Sequence, residues 1–534
     1  MIAVANPIAA NVGYKILRQG GTAIDAAIAA QMVLGLVEGQ SSGIGGDAAL
    51  LYWNGIKKEL FAIDGRVKAP SNVNEEMFYD NFGKKMGRDE AGFGGLAVGT
   101  PTLLRVLERA HQKFGFLPWK SLFEPAIKLA INGFFISPRL HKQIKKNKRI
   151  RKNHAALKYF FDGDGYPRPV GYKLVNLPYA ETLKRVGRMG TKGFYSGNLP
   201  NKIARAVKNS LKNPGYLNAA DIRKYQPETV DPICSFYRGF KVCGMPPPST
   251  GGLTIAMTLK MLERFDLKSL GFKKAQAHHL YIEAYRLAHE DRTRYIGDPR
   301  FYNIPVSGLL NAEYLRKRSQ LIKPFKKSPV YSGHPPNFAD RNLTGDNSME
   351  PPSTTHLSIV DKYGNAISLT SSLGRGFGTG VMVDGFLLNS QLLGFGFNPM
   401  SQDRPNINRP EAKKRPRTSK SPTMVFNADR SLKLIIGSPG GGRIINYVAR
   451  TIIAVIDWKL NIQDAISLPH VVPRRGRVEL ERGTAAIRLK NELDKRGHWV
   501  KTRSLTSGLH GIQIIPNGLI GGADTRREGI ALGD

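Results

Sequence analysis

Residues 351 to 360 read Pro351-Pro352-Ser353-Thr354-Thr355-His356-Leu357-Ser358-Ile359-Val360, a change from proline to β-branched and apolar residues. The chain from 328 to 353 is rich in Pro, Gly, Asn and Asp, a composition that favours neither helix nor strand. Alternating β-branched residues then predict strands at 355–360 and 366–373. We therefore expect a long exposed loop that becomes a buried β-hairpin at Thr354.

A threonine at this boundary has a chemical use if the chain is cut directly before it. A hydroxyl is a weak nucleophile at neutral pH, and a free α-amine on the same residue can act as its general base. A cut before Thr354 would supply that amine. On the residues alone, a plain strand start is the simpler interpretation, because threonine is a good β-former.

Other segments predict a protein of mixed helices and strands. Residues 9–19 are typical of a helix, and Thr22-Ala23-Ile24-Asp25 resembles a capping box that starts a second helix. β-rich runs flank Asn54-Gly55, which is a strong hairpin signal. Further on, a strand at 432–436 enters the loop Gly437-Ser438-Pro439-Gly440-Gly441-Gly442 and then a helix.

The composition is that of a basic globular protein. Lys and Arg outnumber Asp and Glu by 37, an excess large enough to attract polyanions. The charge is spread along the chain, with one dense run at 141–152, which we interpret as a solvated basic face. We do not expect nucleic-acid binding, because no aromatic stacking motif or helix-turn-helix pattern accompanies the run.

Neither a transmembrane helix nor a secretory signal is predicted. The longest apolar stretch, 26–37, is too short to span a bilayer. The first seven residues lack the basic and long apolar regions of a signal peptide. The chain as written would therefore stay in the cytoplasm.

The two cysteines, Cys234 and Cys243, have a spacing unlike that of zinc or redox motifs. If Arg238-Gly239 forms a two-residue hairpin turn, the cysteines face each other across a strand pair. A disulfide and two reduced thiols fit this pattern equally well, because the compartment decides between them.

Possible metal ligands occur on a predicted helix at His278, His279, Glu283 and His289, with His279 and Glu283 one turn apart. We interpret them as part of a solvated helix face, because neither an HExxH motif nor a second ligand cluster accompanies them.

The segment that starts at Thr354, continued by Gly364-Asn365-Ala366, is similar to the beginning of the small subunit in the γ-glutamyltranspeptidase family. Further stretches resemble that family in the same order along nearly the whole chain: 9–46, Asp64-Gly65-Arg66 with Ala69-Pro70, 115–119, 246–252, 414–416 with 421–423, and 437–441. The resemblance implies an α+β fold, the four-layer αββα sandwich of N-terminal-nucleophile hydrolases, in one composite domain. It also implies self-cleavage into a large fragment, 1–353, and a small fragment, 354–534, which form a heterodimer.

The resemblance assigns roles to individual residues. Thr354 would be the nucleophile in both self-cleavage and catalysis, and Ser372 would bond to its hydroxyl and amine. Gly440 and Gly441 would supply the N–H groups of an oxyanion hole, for which a loop between a strand and a helix is suited. Four residues would bind the substrate: Arg66 and the pair Thr418 and Ser419 at its carboxylate, and Gln391 in the pocket.

Two departures from the family pattern concern the acyl group. Gly394 stands where the family has an aspartate that binds the substrate α-amine, and Gly374 replaces an asparagine near the nucleophile. Both bear on γ-glutamyl specificity rather than on threonine chemistry. A nearby acid, such as Asp403, could replace the missing carboxylate.

The resemblance implies a ping-pong reaction without cofactor or metal, in which Thr354 takes the acyl group from a γ-glutamyl amide such as glutathione. Water or an amino acid then accepts the acyl group. Two alternatives remain open, namely a glutaryl-type acylase of the same fold and an uncleaved basic scaffold that binds polyanions. Because family members usually carry an export signal, Met1 would be an internal start if the protein is periplasmic or exported.

Overall fold

Two antiparallel β-sheets stack against each other in the middle of the molecule. The computed structural model describes residues 1–338, 342–348, 350 and 353–534. Within these ranges the first sheet has seven strands and the second has six. With strands numbered in chain order, the bounds are β1 Ile2–Val4, β2 Asp47–Asn54, β3 Glu59–Gly65, β4 Phe134–Phe135, β5 Lys173–Leu174, β6 Glu228–Val230, β7 Ile233–Tyr237, β8 Phe240–Gly244, β9 Thr355–Val360, β10 Ala366–Ser372, β11 Met382–Val383, β12 Phe386–Leu387, β13 Met400–Ser401, β14 Arg404–Pro405, β15 Thr423–Phe426, β16 Leu432–Gly437, β17 Val471–Arg474, β18 Arg477–Glu481, β19 Val500–Arg503, β20 His510–Ile515, β21 Gly518–Ala523 and β22 Ile530–Leu532.

The strand order is β22-β1-β9-β10-β2-β3-β6 in the first sheet and β21-β20-β16-β15-β8-β7 in the second. Helices cover the outer face of each sheet. Their bounds are α1 Pro7–Arg18, α2 Ala23–Val37, α3 Arg88–Ala91, α4 Leu103–Phe114, α5 Glu124–Asn132, α6 Pro138–Lys146, α7 His154–Phe160, α8 Leu177–Met189, α9 Lys192–Tyr195, α10 Leu199–Lys208, α11 Ala219–Arg223, α12 Gly251–Leu262, α13 Leu267–Leu270, α14 Ala275–Tyr295, α15 Val306–Leu309, α16 Ala312–Gln320, α17 Ile444–Ile456, α18 Ile462–Ser467 and α19 Lys490–Lys495.

Side chains that alternate along the strands separate the layers. Leu50 and Tyr52 of β2 join the apolar core beneath α1 and α2, whereas Leu51 and Trp53 join the core between the two sheets. A third core packs β15 and β16 against α12, α14 and α17. Because successive side chains of a strand point to opposite faces, apolar residues of both sets bury both faces of each sheet. The predicted αββα layering of an α+β fold is confirmed.

Both sheets combine strands from before and from after Thr354. In the first sheet, β9 pairs with β1 on one side and with β10 on the other, and β10 pairs with β2. In the second sheet, β15 lies between β8 and β16. The two predicted fragments would therefore share one core, although the fragment boundary itself stays a prediction.

The predicted hairpin after Thr354 is confirmed, with strands at Thr355–Val360 and Ala366–Ser372. The capping box of Thr22 and Asp25 is also present at the start of α2. The turn at Asn54-Gly55 is longer than a two-residue hairpin, because Asn54 pairs with Glu59.

The segment before Thr354 is irregular, as expected, but it is not fully exposed. Within 328–338, 342–348, 350 and 353, the structure has no helix or extended strand. Several of these residues are buried, including Ser328, Asp346 and Ser353. Pro351 and Pro352, which belong to the quoted motif, lie outside the described residues.

The hairpin that contains the two cysteines has the predicted register. Tyr237 pairs with Phe240, and Cys234 pairs with Cys243. The structure has a disulfide between the two cysteines. The alternative of two reduced thiols is therefore not the state observed.

The basic run at 141–152 forms the end of α6 and the turn after it. Its lysines are exposed, while Ile144 and Ile150 anchor it in the core. This arrangement agrees with a solvated basic face. Among the described residues, no helix combines the length and apolar character needed to cross a bilayer.

The turn between β9 and β10 is tied to the N-terminus of α2 by a buried carboxylate. Asp361 accepts hydrogen bonds from Ala23 N, Tyr363 N and Asn365 N, each at 2.9 Å. A carboxylate at a helix N-terminus is also favoured by the helix dipole. This contact fixes the hairpin that begins at Thr354 against the first helical layer.

We expect Asp361→Ala to lower the free energy of unfolding by about 2–3 kcal/mol, because buried N–H donors would lose a charged acceptor. Urea denaturation in a Thr354→Ala background would measure this without separation of fragments. Asp429→Ala, at the exposed turn before β16, is the matched control and should shift the midpoint less. Equal shifts for the two variants would contradict the anchoring role.

Candidate active site

Thr354 lies directly before β9, near the middle of the seven-stranded sheet. Its side chain is buried, and so is that of Ser353. The Ser353–Thr354 bond is therefore not accessible from solvent, contrary to the expectation of an exposed loop. Thr354 has a φ of +150°, a value that a β-branched residue rarely adopts. Backbone strain is thus concentrated at the predicted cleavage point.

The hydroxyl of Thr354 is held by the end of the neighbouring strand. Thr354 Oγ1 donates a hydrogen bond to Ser372 Oγ at 3.1 Å, and Ser372 Oγ also accepts one from Gly374 N at 2.9 Å. On the other side, Arg527 Nη1 donates to the carbonyl of Thr354 at 3.1 Å. Burial lowers the pKa of Arg527 to about 10. No sequence pattern indicated this contact between Arg527 and Thr354.

The glycine loop after β16 approaches the start of β9 closely. A Cβ on Gly437 would lie 2.2 Å from the ring of His356, so only glycine permits this contact. Gly440 and Gly441 have φ values of +142° and +59° and lead into α17. N–H groups at the start of a helix have no partner within the helix. The loop is thus suited to bind an anion or oxyanion.

A cavity of about 20 Å³ lies beside Thr354. Six of the eight predicted site residues line it, while Gly440 and Ser419 lie just outside. Its lining consists of Arg66, Glu350, Ser353, Thr354, Ser372, Gly374, Ser390, Gln391, Leu393, Gly394, Thr418, Lys420, Gly441 and Ile444.

The guanidinium of Arg66 is fully engaged by protein groups. Its Nε donates to the carbonyl of Pro416, and its Nη2 donates to the carbonyls of Gln391 and Arg417. Its Nη1 donates to Asp47 Oδ2 at 2.8 Å and to Gln391 Oε1 at 2.5 Å. These five contacts account for the five N–H groups of an arginine. Arg66 lies at the predicted position, but it already has five acceptors.

Asp47 and Lys420 are two site residues that the sequence analysis missed. Lys420 Nζ lies 2.8 Å from Asp47, and Gln391 Nε2 donates to the same carboxylate at 2.6 Å. Burial lowers the pKa of Lys420 to about 8, and the contact with Asp47 opposes this shift. Asp47 directly follows the family-like stretch 9–46, and Lys420 directly follows the pair Thr418 and Ser419. Their position next to these segments was the only feature of the sequence that could have indicated Asp47 and Lys420.

Thr418 and Ser419 connect the cavity to Glu350. The carbonyl of Thr418 accepts hydrogen bonds from the N–H and the hydroxyl of Thr250. Ser419 N and Oγ donate to the two oxygens of the Glu350 carboxylate at 2.7 and 2.8 Å. Of this pair, Ser419 therefore already binds a carboxylate in the uncleaved chain.

Gly394 lines the cavity, and the space beside it is occupied. A Cβ at this position would lie 2.6 Å from Arg66 Nη2 and 2.8 Å from the carbonyl oxygen of Arg417. Asp403 is exposed in the turn between β13 and β14 and does not line the cavity. The lining thus offers no carboxylate from either position for a substrate amine.

His278, His279 and Glu283 of α14 are buried, so the interpretation as a solvated helix face is wrong for these three residues. His279 Nδ1 lies 2.8 Å from His498 Nε2, and Glu283 lies beside both. Each already has a protein partner, because His279 Nε2 bonds the carbonyl of Lys323 and Glu283 pairs with Arg286. We interpret this cluster as a buried polar contact between α14 and the C-terminal region.

Comparisons with known proteins agree with this geometry. A glutathione hydrolase proenzyme from Bacillus subtilis (strain 168) is 33% identical over 549 residues, covering 100% of this chain and 91% of that protein. An acylase ACY 1 proenzyme from Pseudomonas sp. (strain SE83) is 31% identical, covering 98% of this chain and 91% of that protein. The crystal structure of a cephalosporin acylase from Bacillus halodurans matches with a TM-score of 0.85 and 25% identity, covering 100% of this chain and 96% of that chain.

The family model described as Gamma-glutamyltranspeptidase matches residues 9–534. This range includes the glycine loop, every predicted site residue and all strands of the two stacked sheets except β1. The chain belongs to the γ-glutamyltranspeptidase family.

Proposed function

We propose that this protein is an autoprocessing γ-glutamyltransferase and glutathione hydrolase that works through an acyl-threonine intermediate. The observation that carries the proposal is the state of Thr354, which is buried, strained in φ and bonded through its hydroxyl to Ser372. Membership of the family and the similarity to glutathione hydrolase proenzymes support the same activity.

Self-cleavage begins with attack of Thr354 Oγ1 on the carbonyl carbon of Ser353. The C–N bond breaks, an ester forms, and the nitrogen of Thr354 becomes a free amine. Water then hydrolyses the ester, which leaves a carboxylate on Ser353 and restores the hydroxyl. Because φ of Thr354 depends on the bond to Ser353, cleavage removes this strain, which is of order 1–3 kcal/mol.

The cleaved enzyme uses the same threonine on an external amide. Its α-amine accepts the hydroxyl proton while Oγ1 attacks the acyl carbon. The N–H groups of Gly440 and Gly441 stabilise the oxyanion, and Ser372 holds the hydroxyl and amine in place. Thr418 and Ser419 bind the carboxylate end of the acyl group, while Arg66 and Gln391 form the polar floor. The fragments 1–353 and 354–534 remain together as a heterodimer.

A glutaryl-type acylase is the second candidate function. Gly394 favours it, because the cavity lacks a carboxylate at the position where the family pattern binds the α-amine. The similarity to an acylase ACY 1 proenzyme and to a cephalosporin acylase also supports it. Either substrate has a terminal carboxylate, so both candidates use the same threonine chemistry.

We expect the wild-type chain to separate into two bands on denaturing gels, the smaller one of 534 − 353 = 181 residues. N-terminal sequencing of that band should begin Thr-Thr-His. Thr354→Ala should remain a single band because it lacks the nucleophile, whereas Thr355→Ala should still be cut. Two bands from Thr354→Ala would refute the assignment of the nucleophile.

We expect Gly441→Ala to lower kcat by about a hundredfold, because a side chain at a φ of +59° displaces an N–H group from the oxyanion. Steady-state turnover of a γ-glutamyl anilide would measure the change after gels have verified self-cleavage. Gly483→Ala, at an exposed turn that also has a positive φ, is the control for backbone strain alone. Full turnover by correctly cleaved Gly441→Ala would exclude the oxyanion role.

We expect the cleaved enzyme to prefer a γ-glutamyl anilide over the matched glutaryl anilide by less than about a hundredfold. A carboxylate bonded to the α-amine would contribute roughly 1.5–3 kcal/mol, and the described cavity offers none beside Gly394. The ratio of the two kcat/KM values is the measurement. A preference above about a thousandfold would show that another group binds the amine.

A further inference from the structure

Glu350 places its carboxylate in a site built from buried donors. Ser419 contributes its N–H and its hydroxyl, and Arg292 Nη2 lies 3.2 Å from Glu350 Oε1. Arg292 and Ser419 are both buried. Charged and neutral donors that converge on two carboxylate oxygens form a typical recognition site for a carboxylate.

The uncleaved chain leaves no room for a substrate beside Thr354. A cavity of about 20 Å³ is little more than the space one water molecule requires. Glu350 lies on the wall shared by this cavity and a neighbouring one of about 270 Å³. Removal of the Glu350 side chain would join the two cavities, so this residue limits the space available to an acyl group.

Arg292 is better placed than Arg66 to bind an incoming carboxylate. The five N–H groups of Arg66 are used by protein acceptors, as described above. Arg292 is oriented by the hydrogen bond of its Nε to Thr250 Oγ1 at 2.8 Å, and its Nη2 also lies 3.1 Å from Ser419 Oγ. Its contact with Glu350 would become available to another carboxylate if Glu350 left.

The neighbouring cavity strengthens the selection for an anion. Arg474, Arg475 and Arg477 line it together with Arg292. The acids in its lining are Asp346, which pairs with Arg417, and Glu350 itself. Departure of Glu350 would leave this region with a positive potential that attracts a carboxylate.

We propose that Arg292 joins Ser419 in binding the terminal carboxylate of the acyl donor, and that Glu350 occupies this site until the chain is cut. Cleavage at Ser353 removes the covalent tie between Glu350 and β9, while Asp346 remains bonded to Arg417 and Asn408. The substrate carboxylate then replaces that of Glu350. The identity of the acyl donor rests on the proposed function, whereas the existence of a carboxylate-binding site at Arg292 and Ser419 is independent of it.

The test uses chains that remain uncleaved because they carry Thr354→Ala, with glutarate as the probe in isothermal titration calorimetry. Glutarate should bind Thr354→Ala/Glu350→Ala about ten- to a hundredfold more tightly than Thr354→Ala alone, because the site is vacated. Adding Arg292→Met or, separately, Ser419→Ala to the double variant should abolish this increase in glutarate affinity. The matched control is Arg450→Met, which removes another buried guanidinium at a different cavity and should leave the increase unchanged.

Equal glutarate affinity in Thr354→Ala and Thr354→Ala/Glu350→Ala would overturn the role of Glu350. Unchanged affinity after both Arg292→Met and Ser419→Ala would overturn the carboxylate site, and the serine variant decides if the arginine variant does not fold. These chains perform no chemistry, so the result is independent of the proposed reaction. Failure of that reaction would appear instead as a cleaved wild type without turnover of γ-glutamyl or glutaryl amides.

A second measurement follows the cleaved enzyme. Arg292→Lys should raise KM for glutaryl anilide while kcat changes much less, because a lysine keeps the charge but not the guanidinium geometry. The same anilide with a terminal amide in place of the carboxylate should show no such increase in KM. Equal changes in KM for both anilides would indicate a general structural effect and contradict carboxylate recognition.

Discussion

The candidate active site depends on how firmly the residues on both sides of Thr354 are fixed. After it, β9 is paired with β1 and β10, and His356 is packed against Gly437. Before it, the Ser353 hydroxyl donates to the carbonyl of Gln40. A threonine with a φ of +150° persists only where the surrounding structure imposes it. The contacts that impose this φ on Thr354 also hold its hydroxyl beside Ser372.

The charges around the cavity are arranged around one shared carboxylate. Asp47 accepts from Arg66, Gln391 and Lys420. Two buried cations on one carboxylate leave an excess of positive charge, and the lowered pKa of Lys420 reflects the cost of burying its ammonium. An acyl group with a carboxylate terminus would offset that excess. The electrostatics thus favour an anionic acyl group before any contact with its α-amine is considered.

Much of the fold was predictable because it follows from local periodicity. Alternation with a period of two located β9 and β10 within one residue, and the hairpin register placed Cys234 opposite Cys243. The predicted role of Thr354 needed the family resemblance, because a threonine at a strand start has no distinctive local pattern.

What the sequence did not reveal are contacts between segments far apart in the chain. Arg292 meets Glu350 and Ser419 only because α14 packs beside the segment before β9. The histidines of α14 were assigned to solvent for the same reason, since helical spacing alone does not say which faces of a helix are covered. Burial of His279 depends on His498, which follows α19.

The substitution at position 394 has a physical explanation in the placement of Arg66. Arg66 Nη2 lies where a Cβ on residue 394 would be only 2.6 Å away, and the carbonyl of Arg417 closes the other side. An aspartate at 394 therefore requires Arg66 to move away from its acceptors on Gln391 and Arg417. Recognition of an α-amine by residue 394 and the present Arg66 network exclude each other. The absence of a carboxylate at position 394 is thus coupled to the engagement of Arg66 by protein acceptors.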